Sequence, residues 1–283
     1  MSDLLKRRIG MVTAWARRFA DLYASIFALP QLAGFHYVLL KISLRGLGVL
    51  NYHDDRITGE RHFITHLLPR LVDQDSPVFF DVGANRGAYS RQLARLFPSA
   101  RILAFEPHPE NFRTLASLDL ANVDPYEMAL GEKAGIAELF DHRDRDGSTN
   151  ASLFREVISE IHRNKPVAHR VKVDTLDSIA ENIGVDHIDF LKMDTEGNEF
   201  SILRGGQSLL GQGRIGVIQF EFNEMNTISH VLFCDFSRLL GRDYVFYRLL
   251  PRGLLQIPEV PLYSELFAYQ NILAVPRGKV HLI

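Results

Sequence analysis

From residue 77 onward, short hydrophobic runs rich in β-branched and aromatic residues alternate with amphipathic helical segments. The helical segments repeat their apolar residues at intervals of three and four, as helices with one buried side do. This rhythm of strand and helix predicts βαβ units and a mostly parallel sheet. Seven runs predict its strands: 78–82, 101–105, 124–129, 188–193, 215–222, 244–250 and 271–275.

The first 75 residues have a different character, because their apolar residues follow a helical spacing only. We therefore expect a helical N-terminal extension over 1–75 and an α/β catalytic domain over 76–283. Residues 22–40 contain no Asp, Glu, Lys or Arg, although Pro30, Gln31, Gly34 and His36 interrupt the run. One interpretation is a helix packed on the catalytic domain. The alternative is peripheral membrane contact through an amphipathic helix on an anionic membrane surface.

The charge balance argues against a broad nucleic-acid-binding surface, so we expect no nucleic-acid partner. The 283 residues include 32 basic and 34 acidic side chains, for a formal charge of −2. The single cysteine, Cys234, cannot form an internal disulfide, and its apolar neighbours predict a buried, inert thiol. This is consistent with a reducing, cytoplasmic location, whether or not the chain is also peripheral to a membrane.

A hydrophobic strand runs directly into a glycine-containing turn at residues 78–87, Val-Phe-Phe-Asp-Val-Gly-Ala-Asn-Arg-Gly. Glycine at 83 and 87 allows a tight turn and a close approach to a ligand. The helix predicted after this turn directs its N-terminal dipole toward the same place. The turn therefore predicts a ligand site at the first strand-to-helix connection.

Glu106 ends the next strand, in Phe105-Glu106-Pro107. An acid at this position can accept hydrogen bonds from both ribose hydroxyls of a bound nucleoside. A dinucleotide site would favour Gly-x-Gly-x-x-Gly, but Asn85 occupies the second glycine position. Asp81, just before the turn, opposes a phosphate and suits the cationic sulfonium and amino group of S-adenosylmethionine. The sign of this charge favours the methyl donor over NAD.

Two acids, Asp194 and Glu196, follow the strand 188–193 and would point to the same side if that strand continued. Glu221 and Asn223 supply polar groups at the end of the next strand. Such oxygen ligands suit a general base for a hydroxyl or a divalent cation. The alternative for Asp194 and Glu196 is a structural role, capping the following helix.

Five tracts in this order and spacing resemble the FkbM family of methyltransferases. The resemblance covers about two-thirds of the chain, from 78 to 275. It implies a Rossmann-like class I methyltransferase fold, with a seven-stranded, mostly parallel sheet whose last strand is antiparallel. It also implies S-adenosylmethionine as the methyl donor and hydroxyls of sugars, polyketides or related natural products as acceptors. The tracts are Asp81 to Gly87, Phe105-Glu106-Pro107, Ala129-Leu130-Gly131, Thr175-Leu176-Asp177 and Lys192 to Gly197.

Carried over residue by residue, the resemblance assigns a donor site. Glu106 matches the ribose acid, and Met128 and Ala129 occupy the strand end on the adenine side. Ser152 falls in a Ser-x-Leu-like tract near the pocket. The positions that match the turn on the methionine side are Asp81, Gly83, Ala84, Asn85 and Gly87.

These observations predict an O-methyltransferase that acts on a hydroxyl of a sugar, glycan or natural product. Asp194 is the favoured base or orienting acid, Glu196 and Glu221 are alternates, and His108 and His142 are less favoured. We expect a mechanism without metal, because Lys192 would partly neutralise the acids, and a cation held by the three acids is the alternative. The polar stretch 141–150 is expected to be either a solvated loop or a flap over the active site.

Two rivals use the same fold. A nicotinamide-dependent sugar oxidoreductase would need the glycine fingerprint and a Tyr-x-x-x-Lys pair, which the sequence lacks. A non-enzymatic nucleoside-binding or membrane-attached scaffold would have no need of Asp194 and Glu196.

Overall fold

A computed structural model describes residues 3–52, 54–73 and 75–283. The chain divides into two compact units, one ending at Gly46 and one spanning Leu47–Ile283. The first unit contains α1 (Asp3–Phe27), a 3₁₀ turn (Pro30–Leu32) and α2 (Ala33–Gly46). No single helix in the described ranges combines the length and hydropathy of a membrane span, whereas 15–27 and 30–46 meet both criteria together across a bend of 106°.

The predicted boundary at residue 75 therefore moves to Gly46. Residues after Gly46 belong to the second unit because Phe63 and Leu68 are fully buried in the core that also contains Phe79 and Phe190 of the sheet. The Phe63 and Phe190 rings lie 5.5 Å apart. Periodicity identified this segment as helical, but only tertiary packing shows which body it joins.

The second unit alternates strands and helices as the sequence predicts. Its helices are α3 (Asp55–Thr58), α4 (Glu60–His62), α5 (Leu68–Leu71), α6 (Ala88–Leu96), α7 (Pro109–Ala116), α8 (Leu176–Asn182), α9 (Glu199–Arg204), α10 (Gln207–Gly211), α11 (Phe233–Leu240) and α12 (Pro261–Ser264). Short π and 3₁₀ turns cover Phe63–Leu67, Val157–Ile161, Glu224–Thr227 and Arg277–Leu282. Its strands are β1 (Val78–Val82), β2 (Arg101–Phe105), β3 (Val123–Tyr126), β4 (Ala129–Leu130), β5 (Gly135–His142), β6 (Pro166–Asp174), β7 (Ile188–Met193), β8 (Ile215–Phe222), β9 (Tyr244–Leu250), β10 (Gly253–Gln256) and β11 (Gln270–Pro276).

The main sheet of the described chain has the order β10-β9-β11-β8-β7-β1-β2-β3. Strands β3, β2, β1, β7 and β8 are parallel, and β11 is antiparallel to both β8 and β9. This confirms the predicted Rossmann-like fold with an antiparallel last strand. The sheet gains an eighth strand at its edge, because β10 folds back on β9 as a hairpin.

A small second sheet, with the order β4-β6-β5, was not predicted. The predicted run 124–129 splits between the two sheets, with β3 in the main sheet and β4 in the small one. Strands β5 and β6 pair antiparallel, and many of their side chains are exposed or half-buried. A ribbon with so few buried positions lacks the apolar pattern by which strands are recognised.

Two hydrophobic layers cover the faces of the main sheet. Phe80 and Leu191 pack in one layer, and Phe79 and Phe190 pack in the other. Every residue of β7 and β8 is buried, which agrees with their almost continuous apolar sequences. Cys234 is only partly buried, because α11 turns one side toward solvent, so its predicted full burial is not observed.

Candidate active site

A cavity of about 270 Å³ opens at the carboxyl ends of β1, β2 and β7. This is the edge where open α/β sheets bind ligands. The predicted site residues that line it are Gly83, Ala84, Asn85, Glu106, Met128, Ala129, Asp194 and Glu196. Asp81, Gly87 and Glu221 are not among its lining residues.

The glycine turn between β1 and α6 has left-handed backbone at Gly83 (φ 79°), Asn85 (φ 51°) and Gly87 (φ 79°). Glycine tolerates this conformation and asparagine tolerates it better than most residues. A Cβ on Gly83 would overlap the backbone carbonyl of Asp194. Gly83 is therefore required by the close approach of the strand end after β7, as well as by the turn.

Glu106 is buried beside this turn and already hydrogen-bonded to it. Its Oε2 accepts the backbone N–H of Asn85 at 2.8 Å, and its Oε1 accepts the backbone N–H of His108 at 2.8 Å. Burial raises the pKa of Glu106 to about 7, although both hydrogen bonds oppose the rise. Each carboxylate oxygen keeps a lone pair, so the ionised group can accept two further donors, such as a pair of ribose hydroxyls.

Lys192 lies between two acids on neighbouring strand ends. Its Nζ is 3.4 Å from Oδ1 of Asp81 and 3.4 Å from Oδ2 of Asp194. Burial opposes its charge, but Asp81, Asp194 and Glu60 outweigh burial and raise the pKa of Lys192 above its usual range. Lys192 is therefore an ammonium ion inside the site.

Asp81 consequently has a different role from the one that its sequence position suggested. It is fully buried, accepts a hydrogen bond from Ser90 Oγ at 2.6 Å, and faces Lys192. Since its charge is compensated within the protein, Asp81 supports the site from behind the glycine turn.

The three candidate catalytic acids converge, although β7 ends at Met193, as predicted, and does not continue through Asp194 and Glu196. One carboxylate oxygen from each of Asp194, Glu196 and Glu221 lies within 4.8 Å of the others. Burial, and then the charge of Asp194, raise the pKa values of Glu196 and Glu221 well above the usual range. Burial therefore favours the protonated forms of Glu196 and Glu221, and the more exposed Asp194 lies 3.4 Å from Lys192.

Neither Asp194 nor Glu196 caps the following helix, because the N-cap of α9 is Asn198, which makes no side-chain capping hydrogen bond. The acid at the start of α9, Glu199, instead closes the preceding turn. Its Oε1 accepts the backbone N–H and the hydroxyl of Thr195, at 2.8 and 2.9 Å. Glu196 instead adopts a left-handed conformation (φ 54°), which is costly for a residue with a long side chain. Its backbone carbonyl accepts a hydrogen bond from Ser152 at 2.8 Å, so Ser152 holds this turn in place.

Sequence reasoning missed a chain of hydrogen-bonded polar residues, Glu60, Tyr89 and Gln219, of which Glu60 and Tyr89 line the cavity. The Tyr89 hydroxyl donates to Gln219 Oε1 at 2.9 Å, and Gln219 Nε2 donates to Glu60 Oε1 at 2.8 Å. Lys192 lies 4.8 Å above the Tyr89 ring. Gln219 could have been found as a polar residue inside an apolar strand, whereas nothing in the local sequence of Glu60 indicates that it reaches the cavity.

The stretch 141–150 is organised around the fully buried Asp141. Its carboxylate accepts the backbone N–H groups of Gly147 and Ser148, at 2.8 and 2.9 Å. The Ser148 carbonyl in turn accepts the side-chain amides of Asn85 and Asn111, both at 3.2 Å. The loop therefore contacts the glycine turn, on the donor side of the cavity.

Neither histidine named as a candidate base lines the cavity. His108 is fully buried and caps α7, and its Nε2 lies 2.9 Å from Asp146 Oδ1. His169 lies 2.8 Å from the same oxygen, so Asp146 joins the loop to two histidines. His142 is half-buried at the end of β5, where its ring lies 5.2 Å from that of His162.

The profile of the "Methyltransferase FkbM domain" matches residues 81–243, more than half of the chain. The chain belongs to the FkbM methyltransferase family. This confirms the resemblance shown by the sequence motifs, and with it the methyltransferase class and S-adenosylmethionine as cofactor. The buried acid beside the glycine turn, with lone pairs left for two hydroxyls, fits the nucleoside part of that cofactor.

Several curated FkbM relatives match parts of the chain. "Methyltransferase 1" of Beauveria bassiana is 30% identical over 148 residues, which cover 46% of this chain and 59% of the relative. The "2-O-methyltransferase NoeI" of Sinorhizobium fredii is 25% identical over 171 residues, which cover 55% of this chain and 68% of the relative. The chain thus spans about three-fifths of the first relative. Among solved structures, Aeropyrum pernix fibrillarin with bound S-adenosyl-L-methionine is 12% identical to this chain. The match covers 76% of this chain and 74% of the fibrillarin chain, with a TM-score of 0.40.

Proposed function

We propose that this FkbM-family protein is an O-methyltransferase that methylates a hydroxyl of a sugar, glycan or related natural product. The observation that carries the proposal is the position of Asp194, whose carboxyl group lines the donor cavity beside Glu196. It lies 3.4 Å from Lys192 and beside the carboxyl groups of Glu196 and Glu221, whose pKa values burial raises. The bound cofactor supplies an electrophilic methyl group attached to a sulfonium.

The donor is held by the groups on the β1 and β2 side of the cavity. Glu106 accepts the ribose hydroxyls, and the backbone of Gly83, Ala84 and Asn85 allows the donor to lie close to the strand ends. Met128 and Ala129 supply the apolar wall for the adenine. Asp81 keeps Lys192 in place from the buried side.

Asp194 handles the proton of the acceptor hydroxyl. As the acceptor oxygen forms its bond to the methyl carbon and the carbon–sulfur bond breaks, the hydroxyl proton passes to the Asp194 carboxylate. The Lys192 ammonium group lies 3.4 Å from this carboxylate. Glu196 and Glu221, whose protonated forms are favoured by burial, donate hydrogen bonds that orient neighbouring acceptor oxygens.

The polar character of the acid cluster supports a polyhydroxylated acceptor. Three carboxyl groups within 4.8 Å of one another offer both donors and acceptors, which is what a sugar with adjacent hydroxyls needs. A relative named as a 2-O-methyltransferase is consistent with this class of reaction. Residues 47–283 carry 25 basic and 32 acidic residues, which favours a small-molecule or glycan acceptor over a nucleic acid.

The test is a methyl-transfer screen with labelled donor against cell-envelope glycans and hydroxylated secondary metabolites. The expected result is label in an ether that mild base does not release. Label in an ester, an amine or RNA would contradict O-methylation of a hydroxyl. Oxidation of a sugar with NAD would favour the oxidoreductase, and donor binding without turnover on any acceptor would favour the scaffold.

A further inference from the structure

Helix α2 exposes large apolar side chains in all directions around its axis. Each residue turns a helix by about 100°, so these positions span the full circle. A helix that packs on a protein surface needs only one apolar stripe, whereas α2 would need cover on every side. The exposed residues are Phe35, Tyr37, Val38, Leu39, Leu40 and Ile42.

The end of α1 and the connecting turn show the same property. Leu22, Ile26, Phe27 and Leu29 are each more than 40% exposed. The only histidine of the charge-free stretch, His36, lies 3.3 Å from the Tyr23 hydroxyl across the bend. Its polar ring is therefore partnered within the helical pair itself, so the stretch can leave water without an isolated polar group at this position.

We propose that α1 and α2 form a wedge that inserts into one leaflet of an anionic lipid bilayer, with the 28–32 turn at its tip. This proposal is independent of the methyl-transfer reaction. It identifies the partner of the N-terminal unit as a membrane surface, which places the protein peripherally on that membrane.

The charge distribution favours anionic lipid. The first 46 residues carry seven basic and two acidic residues, whereas the remaining 237 carry 25 basic and 32 acidic residues. Arg17 and Arg18 precede the charge-free stretch, and Lys41 and Arg45 follow it. Clusters of basic residues beside an inserted segment bind the phosphates of anionic headgroups.

The dimensions of the pair fit one leaflet. From Arg18 to Phe27 a helix rises about 14 Å, and from Ala33 to Lys41 about 12 Å. Half of a bilayer hydrocarbon core is about 15 Å thick. Because the two arms meet at a bend of 106°, both basic clusters remain on the same side while the turn between them enters the lipid.

The first experiment is flotation of the full chain with two kinds of vesicle, pure phosphatidylcholine and phosphatidylcholine with about 30% phosphatidylglycerol. We expect the protein to bind the anionic vesicles and this binding to weaken with salt. In Arg17→Gln/Arg18→Gln the affinity should fall about 25-fold, since each basic residue near the surface contributes about 5-fold. The matched control, Arg91→Gln/Arg95→Gln, removes the same charge from exposed positions of α6 and should bind like the wild type.

The second experiment uses Trp15, the only tryptophan in the sequence, which is 81% exposed. The Trp15 fluorescence emission should shift to shorter wavelength when anionic vesicles are added. Quenching by brominated lipids should place Trp15 at a shallow depth in the bilayer. The variant Trp15→Phe/Phe27→Trp should report a deeper position, and Leu29→Asp should abolish insertion at the tip.

Other occupants of this apolar surface give distinct results. Flotation that fails with both vesicles, or equal loss in the α6 control, would overturn the proposal. A Trp15 emission already blue-shifted without lipid, in a monomer by sedimentation, would assign the surface to the methyltransferase unit. If the protein is instead a dimer with the same blue-shifted Trp15 emission, and Leu29→Asp dissociates that dimer, the apolar surface would be assigned to a second copy of the chain.

Discussion

The Oε2 atom of Glu106 accepts the backbone N–H of Asn85 at 2.8 Å, so a hydrogen bond within the protein joins the acid to the glycine turn. The acid ends β2 and the turn follows β1, which are neighbouring parallel strands. The donor site is therefore pre-organised across two strand ends. These two groups should therefore lose little conformational entropy when the donor binds.

Replacing Glu106 should weaken donor binding directly. Glu106→Ala removes two acceptors from the ribose hydroxyls, and we expect S-adenosylmethionine affinity to fall by about 1.5–3 kcal/mol, the range for hydrogen bonds to a charged group. Calorimetry measures this difference. Glu181→Ala, an exposed acid on α8, is the control. NAD binding tighter than S-adenosylmethionine binding in the wild type would refute the assignment of the donor.

The same residue predicts how donor binding depends on pH. Because burial raises the pKa of Glu106 to about 7 in the free protein, a large share of the groups is protonated below neutrality. Ribose hydroxyls donate best to the ionised form, so affinity should rise between pH 6 and pH 8. Titration at several pH values should show this rise in the wild type and a flat profile in Glu106→Gln. A wild-type profile that is also flat would contradict it.

The raised pKa of Glu106 also has a consequence for stability. The folded state binds the Glu106 proton more tightly than the unfolded state, where the pKa is near 4.3. The contribution of this group is fully present below pH 4 and declines until the pH passes about 7. Glu106→Gln should therefore make unfolding, followed by denaturant titration, less sensitive to pH in that window.

Replacing Asp194 should separate turnover from donor binding. Asp194→Asn removes the acceptor for the hydroxyl proton, so turnover should fall about 100- to 10,000-fold, while donor affinity stays nearly unchanged. The control is Asp186→Asn, an exposed acid that precedes β7 at the opposite edge of the sheet. Full activity in both Asp194→Asn and Glu196→Gln would exclude the acid cluster from catalysis.

A chelator distinguishes the two mechanisms that the acid cluster permits. Lys192 already lies 3.4 Å from Asp194 and competes with a cation for its charge. We therefore expect activity to survive treatment with EDTA and not to rise with added Mg²⁺. Loss of activity with chelator and its recovery with Mg²⁺ would instead show that Asp194, Glu196 and Glu221 hold a metal.

Donor binding should protect the 141–150 loop from proteolysis. The Ser148 carbonyl accepts the Asn85 amide, so a ligand that orders the glycine turn also restrains the loop. Trypsin cleavage at the exposed Arg143 and Arg145 should slow with donor and slow further with acceptor. Asp141→Asn should speed cleavage, because it places an amide against the Gly147 and Ser148 N–H groups.

The control for this loop is Glu138→Gln, which changes an exposed side chain of β5 and leaves the contacts of Asp141 intact. It should be cleaved like the wild type. Identical cleavage with and without ligands would remove the proposed gating role of the loop.

The sequence by itself determined the fold class and the donor turn of this protein. Strands such as β7 are apolar throughout, and helices such as α6 carry one apolar side, so local periodicity is sufficient to recognise both. The turn at Gly83 and the acid at Glu106 follow their strands directly. Because parallel strands end at the same edge, their proximity follows from topology alone.

Tertiary structure decided what depends on contacts between distant residues. Glu60 lines the cavity and accepts a hydrogen bond from Gln219, 159 residues later, and Asp81, predicted at the donor turn, is paired with Lys192. The exposed ribbon of β5 and β6 has no strong apolar period. Charge compensation and burial depend on the whole packed environment of a side chain, and no local pattern in the sequence encodes that environment.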